Sequence, residues 1–339
     1  MDLYNIAVVG ATGAVGRVFL DVLASRSFPL GELRLCASER SLGKEISFAD
    51  RSLKIELATP EVFRDVHFVF ISADSEVSRG LTPLAVESGA IVIDDSSVFR
   101  MDEGVPLVVP EVNSEDLEHH KGIVSIPNCS TTPLVMILKP LMQIREIRRV
   151  IVDTYQSVSG TGSAAVEELK NQSQAVLENR EPESIVYPHQ IAFNALPHIE
   201  YFLENGYTNE EIKMLNETRK ILHDDELPVS ATCVRIPVML SHSEAIHIEF
   251  DRKVTPSEVK EVLNQFDGVT VVDDPTDNVY PMPVDASGRD EVFVGRIRED
   301  VSHPNGIVMW VVTVNLRKGA ATNAIQIAEE MIRRNLVTI

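Results

Sequence analysis

The stretch Asn5-Ile6-Ala7-Val8-Val9-Gly10-Ala11-Thr12-Gly13-Ala14-Val15-Gly16 decides the fold of the first part of the chain. Four apolar residues run straight into a glycine loop, and residues 15–25 beyond it carry apolar side chains at helical spacing. Glycines there permit a tight turn, close approach of backbone to a pyrophosphate, and close packing of helix on strand. The helix start then offers N–H groups to an anion. The spacing is GxxGxxG rather than GxGxxG, so an ordinary strand-to-helix turn is the plain alternative. Its place as first strand and first helix of a βαβ run selects nucleotide binding through Gly10 and its neighbours.

Outward from this loop, strands are expected at residues 6–9, 33–37, 68–72, 91–94 and 123–126, with helices at 15–25 and 77–88. Apolar strands alternating with helices predict a doubly wound parallel sheet. From about Arg148 the strands lengthen, at 150–158, 231–238, 244–250 and 307–315, and many lack an intervening helix. Antiparallel or mixed pairing follows. The acidic and amide-rich residues 166–180 and the segment 209–223 read as exposed helices. A last helix begins after Gly319, with Ala324, Ile325, Ile327, Ala328 and Ile332 on one stripe, and is expected to pack back on the first domain. The expected fold is therefore α/β, with a Rossmann-like domain over residues 1–128 joined by 319–339, and an α+β domain with a mixed sheet over 129–318.

Composition narrows the function. The chain has 339 residues, 44% hydrophobic, with 51 acidic against 31 basic side chains and a net charge of -20. Such a field repels phosphate backbones and anionic lipid, so nucleic acid is not an expected partner. No apolar run reaches the roughly 20 residues of a membrane span. Met1-Asp2-Leu3-Tyr4 enters a strand pattern without a basic and apolar progression, so no secretory signal is expected and the cytoplasm is the expected compartment. Cys36, Cys129 and Cys233 form no CxxC pair and no histidine cluster has ligand spacing, so neither a disulfide framework nor a metal is expected.

Two further stretches carry chemistry. Ala37-Ser38-Glu39-Arg40-Ser41 closes the second strand, where an acidic residue pairs with a ribose hydroxyl and an arginine accommodates a 2′-phosphate. Ser38, Arg40 and Ser41 can surround a phosphate, and Glu39 is discordant. NADP is favoured over NAD. Residues 123–127 form a strand that ends at Asn128-Cys129-Ser130-Thr131-Thr132-Pro133, before a helix with Leu134, Val135, Leu138 and Leu141 on one face. Pro133 suits its first position. A thiol at that helix start is placed where the dipole and free N–H groups stabilise a thiolate, and the same donors could hold an oxyanion. Buried packing is the plain alternative for a lone cysteine. Nine histidines compete as its partner and spacing does not choose among them. His242 and Arg235 lie an odd number of residues apart, so a turn or bulge must intervene if both serve one pocket.

The combination GATGAVG at 10–16, PNCST at 127–131, QSVSGTG at 156–162, RIPV with SHSEA over 235–245, VGRIRED at 294–300 and KGAATNA at 318–324 resembles the aspartate-β-semialdehyde dehydrogenase family over essentially the whole chain. The resemblance implies Cys129 as the acyl-thioester nucleophile, His242 as general acid/base, and Gln156 as the residue that helps position substrate beside them. It implies Arg235 for the substrate α-carboxylate, Glu210 for its amino group, Arg100 and Lys213 for phosphate, and Asn128 as a further substrate contact. Thr12, Gly13, Ala14, Val15, Arg40, Ser41, Ser159, Gly160 and Asn315 match NADP contacts. The implied reaction is NADPH-dependent reduction of β-aspartyl phosphate to aspartate β-semialdehyde and phosphate, feeding lysine, methionine and threonine synthesis. A homodimer formed through the second domain's sheet is implied too. N-acetyl-γ-glutamyl-phosphate reductase and a noncatalytic NADP-binding homologue are the rival readings. Two departures stand out: Ser241 where the family often has Gly, and Ile126 where it often has Asn.

Overall fold

The computed structural model describes residues 3–337. Met1, Asp2, Thr338 and Ile339, on which the N-terminal reading and the end of the last expected helix fall, lie outside the described residues. The chain forms two compact units, Met1–Asn128 with Ala320–Ile339, and Cys129–Gly319.

The first unit contains β1 (Tyr4–Val9), α1 (Ala14–Ser25), β2 (Leu30–Cys36), β3 (Glu45–Phe48), β4 (Arg51–Glu56), β5 (Phe68–Ile71), α2 (Ser75–Glu87), β6 (Ile91–Asp94), α3 (Pro110–Asn113) and β7 (Ile123–Ser125). Its seven-stranded sheet has the order β3-β4-β2-β1-β5-β6-β7, parallel except for the β3–β4 pair. Successive side chains of a strand point to opposite faces, and both faces are buried here. Ile6 and Val8 join Phe19, Phe70 and, from the C-terminal helix, Ile325 and Ala328 in one cluster. Ala7 and Val9 join Phe63, Ile71 and Ala85 of α2 in another. Helices on both sides make the sheet doubly wound, which is why its central strands read as unbroken apolar runs.

The second unit contains α4 (Thr131–Met142), β8 (Ile147–Gln156), α5 (Ser163–Leu177), α6 (Asn209–Leu222), β9 (Val229–Arg235), β10 (His242–Phe250), α7 (Pro256–Asn264), β11 (Val269–Val271), α8 (Pro283–Ala286), β12 (Val292–Glu299) and β13 (Gly306–Thr313). The chain then returns to the first unit as α9 (Thr322–Arg333), which packs on α1 and α3. The six-stranded sheet has the order β11-β12-β13-β10-β8-β9, with parallel β8–β9 and β11–β12 pairs and antiparallel pairs between. Only one of its faces is well buried. On β10, His242, Glu244, Ile246 and Ile248 are buried, whereas Ala245 and His247 on the other face are half-buried. α4 packs on α6, α7 and β13. No helix among the described residues is long and apolar enough to cross a membrane.

Four local expectations change. The β3–β4 hairpin and β12 were not anticipated as strands. The strands expected to run to 158 and 238 stop at Gln156 and Arg235, the latter just ahead of Pro237, which cannot donate to a ladder. Pro133 is the third helical residue of α4, behind an N-cap at Ser130, a position whose N–H has no intrahelical acceptor. Neither α5 nor α6 is simply exposed: α5 buries Glu168 and Gln172, and α6 buries Glu210, Glu211 and Glu217. The two polar groups of α5 are held by backbone from residues 178–208, a described stretch with neither helix nor strand. Glu168 accepts the N–H groups of Ile185, Val186 and Tyr187, and Gln172 Oε1 accepts those of Ile191 and Ala192.

Candidate active site

In the first unit, Gly10 lies at φ 88, and a Cβ there would stand 2.0 Å from the Ser72 carbonyl oxygen. Gly16 in the first turn of α1 packs on the Gly10 carbonyl so closely that a Cβ would stand 2.3 Å from it. The loop is thus drawn tightly under α1. Gly13 is the N-cap of α1 and supplies no side chain, and no acidic residue stands in the first turn. This start suits an anionic pyrophosphate approaching the backbone of Thr12, Gly13, Ala14 and Val15. At the carboxyl end of β2, Ser38, Glu39 and Arg40 are exposed while Ser41 is buried and bonded through its N–H to the Ser38 carbonyl. Arg40 and Glu39 are equally open to solvent. Arg100, buried, donates from Nη2 to the Asp95 carbonyl at 2.8 Å. Burial raises the Asp95 carboxyl to about 6 against the pull of Arg100. Asn128 is buried at the end of this unit.

The second unit gathers most of the remaining candidates on the buried face and end of its sheet. Gln156 ends β8 and is the register partner of Arg235, which ends β9. The Gln156 amide is fixed at both ends: Oε1 accepts the Thr154 hydroxyl at 3.1 Å, and Nε2 donates to Glu210 Oε1 at 3.1 Å. Lys213, one turn along α6, lies 3.7 Å from Glu210 Oε2 and pairs closely with Glu200. Arg235 donates from Nη1 to the Ser157 carbonyl at 2.8 Å. His242 opens β10, so Arg235 and His242 belong to neighbouring segments, and the loop between them supplies the turn that one regular strand lacked. The two meet at Gly160. A Cβ on Gly160 would stand 3.1 Å from Arg235 Nη1 and 3.2 Å from His242 Nε2.

His242 is 1% exposed. Burial first, then the Arg235 guanidinium, hold its pKa well below the ordinary imidazole value. Its Nδ1 accepts the Ser157 N–H at 3.0 Å. Ser159 and Asn315, which match cofactor contacts, are buried against each other here, with Asn315 Nδ2 donating to Ser159 Oγ at 3.0 Å. The three cysteines separate cleanly. Burial pushes the Cys36 thiol up to about 12 and the Cys233 thiol higher still, whereas Cys129 is half-buried just ahead of α4. Cys129 packs on Gly319, where a Cβ would stand 2.8 Å from its own Cβ.

Residues 5–120 match the model of the semialdehyde dehydrogenase NAD binding domain, and residues 138–318 match that of the semialdehyde dehydrogenase dimerisation domain. The aspartate-semialdehyde dehydrogenase of Aquifex aeolicus is 53% identical, with 98% of this chain and 99% of that protein covered. The chain belongs to the aspartate-semialdehyde dehydrogenase family. The Bacillus subtilis aspartate-semialdehyde dehydrogenase is 50% identical over 98% of this chain and 99% of its own length. Among solved structures, aspartate semialdehyde dehydrogenase II of Vibrio cholerae, complexed with ASA, has a TM-score of 0.95 at 44% identity and covers 98% of this chain and 99% of its own. The Candida albicans enzyme with NADP has a TM-score of 0.77 at 27% identity, covering 98% and 99%. This aspartate-semialdehyde dehydrogenase family chain is accordingly an oxidoreductase with a nicotinamide cofactor. Sequence reasoning passed over Thr154 and Ser157, which support the candidates from behind, and named Ser241 only as a departure from the family. Ser157 stands inside the quoted QSVSGTG motif, next to Gln156, and that adjacency was the available signal.

Proposed function

We propose that this chain reduces β-aspartyl phosphate to aspartate β-semialdehyde and phosphate with NADPH, through a thioester on Cys129. The observation that carries the reading is the meeting of Arg235 and His242 at Gly160, beside Gln156 and Glu210, in the unit that also holds Cys129. An arginine offers a bidentate clamp for an α-carboxylate, and a buried Glu210 can receive the neighbouring ammonium group. Lys213 and Arg100 supply positive charge for the phosphate. The Cys129 thiolate adds to the acyl carbon, phosphate departs, and the acyl group rests on sulfur as a thioester. NADPH, when bound at the glycine loop, supplies the hydride that reduces the thioester. Gln156 orients the acyl group, and His242 serves as the acid/base group at the reacting carbonyl. In reverse, the aldehyde is oxidised and phosphorylated.

The residues around the glycine loop fit a dinucleotide, because the Gly10 and Gly16 approaches leave no room for side chains and α1 starts without a capping side chain. Exposed Arg40 beside Ser38 and Ser41 supports NADP rather than NAD. Arg40→Ala is expected to raise KM for NADP about tenfold while leaving that for NAD unchanged. Equal effects on both would overturn the preference. A homodimer is the proposed assembly, through the open face of the six-stranded sheet. There Tyr155 is exposed, and Tyr280, Pro281, Met282, Met309 and Trp310 line a hollow of about 340 Å³. The cytoplasm, which keeps thiols reduced, is the proposed compartment for a protein with three free cysteines.

The test follows NADP reduction with aspartate β-semialdehyde and phosphate, beside N-acetylglutamate semialdehyde. Turnover with the first substrate alone is expected. Preference for the second would move the chain to the reductase reading, and NADP binding without turnover would leave a noncatalytic binder.

A further inference from the structure

We infer that Glu200 is a specificity-determining residue, whose negative charge makes the substrate site of the second unit demand a cation and so select a free α-amino group. This deepens the reading of Glu210 as the receiver of that group and rests on it. Lys213 stands between two carboxylates of the second unit. Its Nζ pairs closely with Glu200 Oε1 and lies 3.7 Å from Glu210 Oε2. The side chains of Lys213 and Glu210 are only 16% and 5% exposed, so water and salt screen their charges poorly. Glu210 is tied in turn to Gln156, whose Nε2 donates to its Oε1 at 3.1 Å.

Lys213 leans toward Glu200, 13 residues back along the chain, rather than toward Glu210 in its own helix. The backbone holds Glu200 out to it. Glu200 stands at φ 64, a left-handed conformation disfavoured for a residue with a Cβ. Ahead of it, Leu196 and Arg235 exchange both backbone hydrogen bonds, and behind it the Asn209 N–H donates to the Tyr201 carbonyl at 2.9 Å. Asn209 Nδ2 also donates to Glu200 Oε2 at 2.6 Å, which turns Oε1 to Lys213. A part-exposed ion pair adds little stability, so stability does not account for a strained backbone kept in order to form one.

Charge balance gives the arrangement its chemistry. Glu200 and Glu210 bring two negative charges and Lys213 one positive, so the set lacks one positive charge. An amino-acid substrate supplies it: the α-carboxylate meets Arg235, the register partner of Gln156, and the α-ammonium completes the set at Glu210. An N-acylated substrate has no ammonium and would leave the negative charge uncompensated beside a buried Glu210, which is unfavourable. Without the Glu200 charge, Glu210 and Lys213 would neutralise each other, and the ammonium would lose its advantage. A lysine ammonium has three donors, so engagement with Glu200 leaves others for phosphate.

Steady-state turnover of aspartate β-semialdehyde, beside its N-acetyl derivative, tests this at saturating NADP and phosphate. The wild-type protein is expected to favour the free amine. Glu200→Gln should raise KM for aspartate β-semialdehyde on the order of tenfold, with kcat within about twofold, and should narrow the preference over the N-acetyl form by a similar factor. Glu200→Asp, which keeps the charge, should retain most of that preference. Glu200→Gln combined with Lys213→Gln restores a single net negative charge, and should bring KM for the semialdehyde back toward the wild-type value. A Glu200→Gln protein with wild-type KM and preference would reduce the pair to a surface contact and overturn the inference, as would a rise in KM that the double variant deepens. Wild-type protein that turns over neither compound, or both equally well, would sink the reading of Glu210 itself before any variant is compared.

Discussion

The two sheets use their residues in opposite ways. The seven-stranded sheet buries both faces in hydrocarbon, so it offers a ligand only the loops at its strand ends, chiefly through backbone. The six-stranded sheet carries Thr154, Gln156, Arg235, His242 and Glu244 among its strand residues, buried on the covered side. The first kind of site depends on how closely the backbone can approach a ligand. The second depends on polar side chains that must satisfy one another, and it pays for reactivity with strained or unpartnered groups.

Substitutions should divide along that line. The largest effect is expected for Cys129→Ala in the second unit, with kcat lowered on the order of 10⁴-fold or more and NADP affinity, measured by calorimetry, unchanged. Loss of both together would erase the division. Next comes Gly10→Ala in the first unit. Its Cβ would meet the Ser72 carbonyl at 2.0 Å, a backbone atom that cannot step aside, and its φ of 88 disfavours alanine. Urea unfolding should show a loss of about 3–5 kcal/mol, and wild-type stability would contradict the tight loop.

Gly160→Ala is the sharpest contrast. Its Cβ would meet only side-chain ends, at 3.1 and 3.2 Å, on Arg235 and His242. These can shift, so the fold should survive while kcat/KM falls on the order of 10²-fold through misplacement. An active Gly160→Ala would show that the two groups do not work at that point.

The smallest effect concerns Glu244, 1% exposed with neither carboxyl oxygen hydrogen-bonded among the described residues. Burial raises its pKa well above the ordinary 4.5. The native protein keeps this proton as pH rises past 4.5 while the unfolded chain releases it. Its contribution to stability is therefore full below pH 4.5 and is lost as pH climbs toward the native value. Glu244→Met should raise stability at neutral pH by about 1–3 kcal/mol and much less in mild acid. A pH-independent difference would mean that the carboxyl is not held protonated.

The same division governs what was legible in the sequence. Strands such as Phe68–Ile71 and Ile91–Asp94 are apolar on both faces and announce themselves, as does the glycine loop. The β3–β4 hairpin did not, because Glu45–Phe48 and Arg51–Glu56 are short and mostly polar, with only Ile46, Phe48, Leu53 and Ile55 apolar. β12 was hidden by Gly295 and by Arg296 at φ 53, where the pairing register shifts. Cys129 could be placed by its strand-to-helix setting. The Ser157–Asn315 bond could not, since it joins residues 158 positions apart through groups whose types are common on surfaces. Buried carboxylates mislead for a related reason: Glu211 looks solvated until its partners, the N–H groups of Thr208 and Cys233, are seen at 2.7 and 3.0 Å.

The most direct test of covalent catalysis is to mix the enzyme with aspartate β-semialdehyde and NADP in the absence of phosphate, quench in acid, and weigh the peptide that contains Cys129. A mass increase of one aspartyl acyl group on that peptide, removed by hydroxylamine and absent from the peptides of Cys36 and Cys233, is expected. NADPH formation in a stoichiometric burst with every cysteine peptide unmodified would contradict the account.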